Sequence, residues 1–424
     1  MPRAEILSQG DEVVTGQIAD TNAAWLSERL IDVGFHVVRH TTVGDEKSDI
    51  IHALTEAALR SDVVICSGGL GPTDDDLTSE AVAQAFGRPL VFDDVAWQQI
   101  QAMFARFGRP IPDINRKQAL LPEGSLRLDN DRGTAPGFLL STCSVPAHHG
   151  ATAMLACLPG VPHEMKAMFD LRVVPLLTQT WALRPGRLIT LRTTGVGESA
   201  LQERIGTFEL PGFVLGYRTT PGENLVKLRV SPEVPLSEVE AVVADLHLRI
   251  GSPVFAIDGL DQPGGDLIHT VARSLLVCGA TLAVAESCTG GRVAAACTGV
   301  PGSSAWFVEG VVAYANEAKT RHLGVAPALL QAHGAVSEPV ARAMAEGIRE
   351  RAGTTFALST TGVAGPDGGT ADKPVGTVHI ALATPAGTSH RLLRLGGDRA
   401  RIQAYATAAA LDLLRRHLQG LPVS

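Results

Sequence analysis

At 424 residues the chain is too long for one ordinary domain, and two or three are expected. Hydrophobic residues make up 45% of it and charged residues only 19%, the balance of well-packed globular domains rather than of a disordered chain. A net charge of −8 argues against a nucleic-acid partner, while residues 1–7 lack the apolar run of a signal peptide and the long uncharged stretch over 133–163 is broken by Pro, Gly and His, so a soluble cytoplasmic protein without a membrane partner is expected.

Along the first 172 residues the pattern alternates between strand and helix. Residues 4–8 form a short apolar run, and Asp20 is placed to cap a helix that extends to about Val33. Residues 35–43 read as a strand. Ser48 then caps a helix with Ile50, Ile51, Leu54, Ala57 and Ala58 on one face, and residues 62–67 form a continuous apolar run ending in Gly68-Gly69, as a buried parallel strand does. That order predicts a doubly wound α/β domain with ligands at the carboxyl ends of its strands. Leu183-Arg184-Pro185-Gly186 reads as a linker. Residues 173–258 form a small α+β connector, with strands near 188–194, 212–218 and 225–230 and helices near 199–206 and 236–249. A second break at Asp258-Gly259-Leu260-Asp261-Gln262-Pro263-Gly264-Gly265 opens a third, α/β unit over 262–424, closed by an Ala-rich helix over Arg399–Leu418. No 20–50-residue repeat is present.

Cys66, Cys143, Cys157, Cys278, Cys288 and Cys297 make no CxxC pair and no zinc spacing, so they read as small core hydrophobes. His148-His149 sits in a Pro/Gly-flanked stretch without a further ligand at useful spacing, and is expected in an exposed loop.

Two constellations carry chemistry. In the first, Gly68-Gly69-Leu70-Gly71-Pro72-Thr73-Asp74-Asp75-Asp76 follows a strand and precedes a helix. Glycines there let the backbone approach an anion closely, and the helix N-terminus adds a favourable dipole. Three aspartates would repel phosphate unless a hard cation such as Mg²⁺ intervenes. A metal-bridged phosphate or pyrophosphate site follows, with Gly68, Gly69, Gly71 and Thr73 at the substrate and Asp11, Asp75 and Asp76 at the metal; Glu12, Asp45 and Glu46 can converge on the same edge. The plainer alternative is that Asp74, Asp75 and Asp76 cap the helix. Neither a Walker loop nor a GxGxxG fingerprint occurs.

The second constellation is Ala285-Glu286-Ser287-Cys288-Thr289-Gly290-Gly291, followed by Tyr314-Ala315-Asn316-Glu317-Ala318-Lys319. The chain has six lysines against thirty arginines, and arginine stays protonated whereas a buried lysine can lose its proton. A serine at a strand-to-helix turn with a lysine base points to amide or ester cleavage. Cys288 adjoins the serine, but a lysine partner suits a hydroxyl better. Thr289, Gly290 and Gly291 offer N–H groups to an oxyanion. The plainer alternatives are that Ser287 caps a helix, Lys319 is solvated and Tyr314 is strand core. There is no SxxK motif and no GxSxG elbow.

Gly10-Asp11-Glu12, Asn22, the Gly-Gly-Leu-Gly-Pro-Thr-x-Asp-Asp run, Gly133-Thr134-Ala135-Pro136-Gly137-Phe138 and Leu158-Pro159-Gly160-Val161-Pro162, in that order, resemble the CinA family over essentially the whole chain. The resemblance implies an N-terminal domain similar to molybdopterin-binding domains, with metal-dependent ADP-ribose pyrophosphatase activity. It implies a C-terminal nicotinamide mononucleotide deamidase (amidohydrolase) domain that needs no cofactor. By the same resemblance Ser287 is the nucleophile, Lys319 its base and Tyr314 a catalytic support, while Ser304, Thr361 and Arg399 match site positions. Arg399 and the glycine-rich loop containing Gly365 are the natural phosphate pocket. The substrates would be nicotinamide mononucleotide and ADP-ribose, with a homodimer as the default state. The rival from another class is a nucleotide- or pterin-binding regulatory protein linked to competence, which would turn over nothing.

Overall fold

The computed structural model describes residues 1–141, 153–261 and 264–423; Cys143, the His148-His149 pair, Gln262 and Pro263 lie outside them. Met1–Gly186 form one compact unit and Arg187–Ser424 a second.

In the first unit all five residues of the strand Val63–Ser67 are buried, because helices cover both faces of its sheet. Alternation divides the side chains between two cores. Ala4, Ile6, Val63 and Ile65 face Leu26 and Leu30 of the helix Thr21–Val33, whereas Leu7, Val64 and Cys66 face Ile50, Leu54 and Ala57 of the helix Lys47–Arg60. Each fully buried Leu or Ile contributes about 1.5–3 kcal/mol. Asp20 does cap the first of these helices, accepting from the Ala23 N–H at 2.8 Å. Ser48 does not cap the second: the N-cap is Glu46, without a side-chain bond, and Ser48 lies within the first turn.

The sheet order is His36–Val43, Arg3–Gln9, Val63–Ser67, Met154–Leu158, Gly137–Ser141, Leu126–Leu128, with the first four strands parallel and the last two antiparallel. The chain leaves Arg3–Gln9 first to one side and then to the other. The carboxyl ends of Arg3–Gln9 and Val63–Ser67 therefore flank a switch point, where a crevice opens. The unit also runs past residue 172. Val173 and Leu177 are fully buried in the same core as Met165 and Phe169, so the connector begins after the Leu183–Gly186 stretch and not at 173.

The second unit holds two sheets. One is antiparallel, ordered Phe213–Thr220, Glu223–Val230, Arg187–Thr193, Val254–Asp258, and is backed by the helices Glu198–Ile205 and Leu236–Ile250. Val254–Asp258 was not anticipated as a strand. The other sheet is ordered Phe307–Val312, Leu282–Glu286, Phe356–Gly362, Thr377–Thr384, Gly387–Arg394, with the first three strands parallel. Small side chains on one face, Ala283, Ala285, Ala357, Ala381 and Ala383, receive the helix Glu338–Ala352. Val284, Leu358, Ile380 and Leu382 on the other pack with the helices Leu267–Cys278 and Arg399–Leu418. Connector and C-terminal sheet belong to one body. Fully buried Arg415 donates to Asp412 at 2.7 Å and, across the division, to the carbonyl of Ser252 at 3.0 Å.

Candidate active site and phosphate cleft

Ser287 follows directly on the strand Leu282–Glu286, which lies between Phe307–Val312 and Phe356–Gly362. This is again the switch point of a parallel segment, so the serine emerges where neighbouring loops diverge. Lys319, from the helix Asn316–Leu323, is 1% exposed, and its Nζ lies 3.2 Å from Ser287 Oγ. The carbonyls of Ala313 and Tyr314 each accept from Nζ at 2.9 Å. Burial pushes the lysine below its ordinary pKa of 10.5, opposed by the nearby Cys288 and Glu317. The three contacts fit a neutral amine. Its two N–H groups go to the two carbonyls, which leaves the lone pair facing the serine hydroxyl. Ser287 is therefore no helix cap and Lys319 no solvated residue. The Cys288 thiol is pushed up to about 12 by burial, which keeps it protonated.

Glu286 has an organising role that no sequence signal announced. It is 1% exposed, and its carboxylate accepts from the N–H groups of Gly291 (2.9 Å), Val293 (3.1 Å) and Ala294 (2.8 Å) and from Thr289 Oγ1 (2.6 Å). It caps the helix Arg292–Thr298 from the strand below and so fixes the turn that carries Ser287. This changes the expected oxyanion donors. The Gly291 N–H belongs to Glu286, and the Gly290 N–H goes to the carbonyl of Ser287 at 3.2 Å. Among the described residues, the N–H groups of Cys288 and Thr289 donate to no protein oxygen, and they follow directly on the nucleophile in the chain.

Tyr314 is 62% exposed, so it is not strand core. Its carbonyl, not its hydroxyl, orients the lysine. The phenol accepts from Arg399 at 3.1 Å, and the same guanidinium donates to the carbonyl of Gly365 at 2.7 Å, so these three sequence-predicted residues do converge. Thr361 is buried and donates to the carbonyl of Ala335 at 2.8 Å. Ser304 is not brought to the site. It precedes the strand in which Phe307 pairs with Leu282 and Val312 with Glu286, which puts it at the opposite end of the sheet, roughly 15–20 Å from Ser287.

At the N-terminal switch point a cleft of about 540 Å³ is lined by Gly68, Gly69 and Gly71 and by the acidic residues Glu12, Asp45, Asp75, Asp76 and Glu164. Gly69, at φ 65°, has no room for a side chain: a Cβ would stand 2.2 Å from Gln9 Oε1. Thr73 is not part of the lining; its N–H donates to Asp76 at 2.9 Å and its carbonyl accepts from Lys117 at 2.8 Å. Asp11 is turned from the cleft as well. It exchanges bonds with Asp45, each backbone N–H donating to the other's carboxylate at 3.0 and 3.1 Å, so Glu12 and Asp45 face the cleft in its place. The following helix, Thr78–Ala85, has Leu77 at its N-cap without a side-chain bond, which sets aside the capping role for Asp74, Asp75 and Asp76. Among the described residues no three His, Cys, Asp or Glu side chains gather closely enough to cage a metal. Magnesium needs no such cage: it is commonly held by one or two carboxylates plus phosphate oxygens and water. The donor set thus fits a hard divalent ion that binds together with a polyphosphate.

Fold and site together define a class: an α/β protein with a serine–lysine centre in one unit and a molybdopterin-binding-like, acid-rimmed cleft in the other. Residues 265–418 match the family model of the CinA C-terminal domain, and residues 5–179 match that of a probable molybdopterin binding domain. A putative competence-damage inducible protein of Symbiobacterium thermophilum is 42% identical, over 98% of this chain and 99% of its own length. A CinA-like protein of Geobacter metallireducens is 43% identical with the same coverage. A nicotinamide-nucleotide amidohydrolase, PncC, of Shewanella oneidensis is 40% identical over 98% of this chain and 96% of its own. The chain belongs to the CinA family. Among the described residues, no helix is long and apolar enough to cross a membrane.

Proposed function

We propose that this protein hydrolyses the carboxamide of nicotinamide mononucleotide to nicotinate mononucleotide and ammonia. The observation that carries the proposal is the buried Lys319 amine aimed at Ser287 Oγ at 3.2 Å; the name of the Shewanella relative supports it. Ser287 Oγ attacks the amide carbon as Lys319 takes the hydroxyl proton. The oxyanion accepts from the Cys288 and Thr289 N–H groups. As the C–N bond breaks, the Lys319 ammonium returns the proton to the departing nitrogen, and ammonia leaves an acyl-serine. Water then attacks, its proton again passing to Lys319, and the acid departs with the serine restored. Arg399, held by Tyr314 and Gly365, supplies the positive charge for the substrate's phosphate.

The N-terminal cleft has a second role in this proposal, the cleavage of ADP-ribose at its pyrophosphate. A divalent ion, when bound, neutralises the phosphate charge that the surrounding carboxylates would otherwise repel. Asp45, Asp75 and Asp76 would hold it, and the Gly68–Gly71 backbone would admit the phosphates. A cytoplasmic location and a homodimeric state belong to the same proposal.

The test is ammonia release from nicotinamide mononucleotide without added metal, by wild type, Ser287→Ala and Lys319→Ala. Turnover in the wild type and its loss in both folded variants is the expected result. A well-folded wild type that releases no ammonia would refute the deamidase.

A further inference from the structure

We infer, resting on the deamidase reading above, that Gln403 is a positioning residue for that reaction: it holds the Cys288–Thr289 peptide so that its N–H serves the oxyanion formed at Ser287. Gln403 Nε2 donates to the carbonyl of Cys288 at 2.8 Å. The Gly290 N–H bond to the carbonyl of Ser287, at 3.2 Å, closes the turn that carries the nucleophile but touches neither edge of this central peptide. The Cys288 carbonyl and the Thr289 N–H are the two edges of one planar trans unit, so they point in opposite directions. Drawing the carbonyl toward Gln403 therefore aims the N–H away from it. A hydrogen bond on the carbonyl also polarises the peptide and makes its N–H a stronger donor.

The brace is itself held in place. Chemistry at both ends sets the orientation of the Gln403 amide: the Cys288 carbonyl can only accept and so meets the NH2, while Arg292 Nε can only donate and meets Oε1 at 3.3 Å. Gln403 stands near the start of the helix Arg399–Leu418, where Asp398 caps the first turn by accepting from the Arg401 N–H at 2.7 Å. Ile402 and Ala406, both fully buried, seat this part of the helix in the core. Arg399 lies four residues before Gln403 and so on the same face. One anchored helix thus delivers both the cation proposed for the substrate's phosphate and the brace on the nucleophile turn.

Steady-state ammonia release from nicotinamide mononucleotide by the full chain, followed across pH, tests this with Gln403→Met and Arg292→Ala. Gln403→Met keeps the length of the side chain and removes its donor. It is expected to lower kcat about 10-fold, part of the roughly 10²–10³-fold that a whole oxyanion donor is worth, with KM changed by less than about 2-fold. The pH at which the rate rises should stay at its wild-type position, because the Gln403 amide bonds to Cys288 and Arg292 and not to Lys319. Arg292→Ala, an exposed change that frees the amide to rotate, should lower kcat in the same direction by about 2–5-fold. If Gln403→Met keeps its kcat, raises only KM, or moves the pH midpoint, the brace is overturned while the deamidase stands on its wild-type turnover. If the wild type releases no ammonia, the deamidase fails and the brace with it. Should Gln403→Met not fold, Arg292→Ala decides, and an unchanged kcat there overturns the brace.

Discussion

The two sites occupy equivalent places, each at the switch point of a parallel sheet segment, and solve opposite electrostatic problems. Around Ser287 every group is positioned without help from a ligand: Lys319 has its three contacts, Glu286 its four donors, and burial lowers the lysine's pKa. The N-terminal cleft is rimmed by carboxylates that repel the phosphates its glycines would admit. The first is complete as folded, whereas the second, in the function proposed for it, would become competent only with a cation bound. Preorganisation by burial suits proton transfer, and an open acidic rim suits a reaction in which charge must be imported.

That contrast can be broken most sharply at the serine. Ser287→Ala should lower deamidation by at least about 10³-fold, and Lys319→Arg should fail similarly, because arginine cannot act as a base at these pH values. Both are read from initial rates of ammonia release. Chelation should then divide the two sites. Removing divalent metal is expected to abolish ADP-ribose cleavage while ammonia release stays within about 2-fold, and parallel assays of one preparation decide it. Glu286→Gln should cost about 2–3 kcal/mol in urea unfolding, since charged acceptance from three backbone N–H groups is weakened in a buried place. The pH profile sharpens the role of burial. Lys319 must be neutral to act as a base, so kcat/KM should rise with pH and level off below pH 10.5, the direction set by its depressed pKa. Tyr314→Phe is expected to have the smallest effect, below about 10-fold and mainly in KM, because the lysine is held by the residue's carbonyl and the phenol only steadies Arg399.

Ser287 and the glycine run were legible because each stands at the end of an apolar strand, where a local pattern fixes the position, and Lys319 because it is one of only six lysines in an arginine-rich chain. Asp20 was legible as a cap for the same reason, its partner being three residues away. What depends on distant pairing was not. Ser304 belongs to the wrong end of a sheet whose register only tertiary packing sets. Asp11 and Asp45 bond across 34 residues, which turns one of two neighbouring acids, Asp11 and Glu12, away from the cleft. Glu286 looked like the last residue of a strand, and its importance lies in a helix whose amides return to it. The boundary at 172 fell short because Val173 and Leu177 form a short apolar stretch whose core partners are far away in sequence.

The Arg415 bond to Ser252 bears on how the protein can be dissected. A fragment starting at the 258–265 break would retain the serine–lysine centre but deprive a fully buried cation of one acceptor, and would also lose the connector surface beneath the last helix. Cutting before Arg187 keeps that acceptor in place. For the serine–lysine half, a fragment beginning at residue 187 is therefore expected to be the more stable of the two, with the connector serving as its foundation.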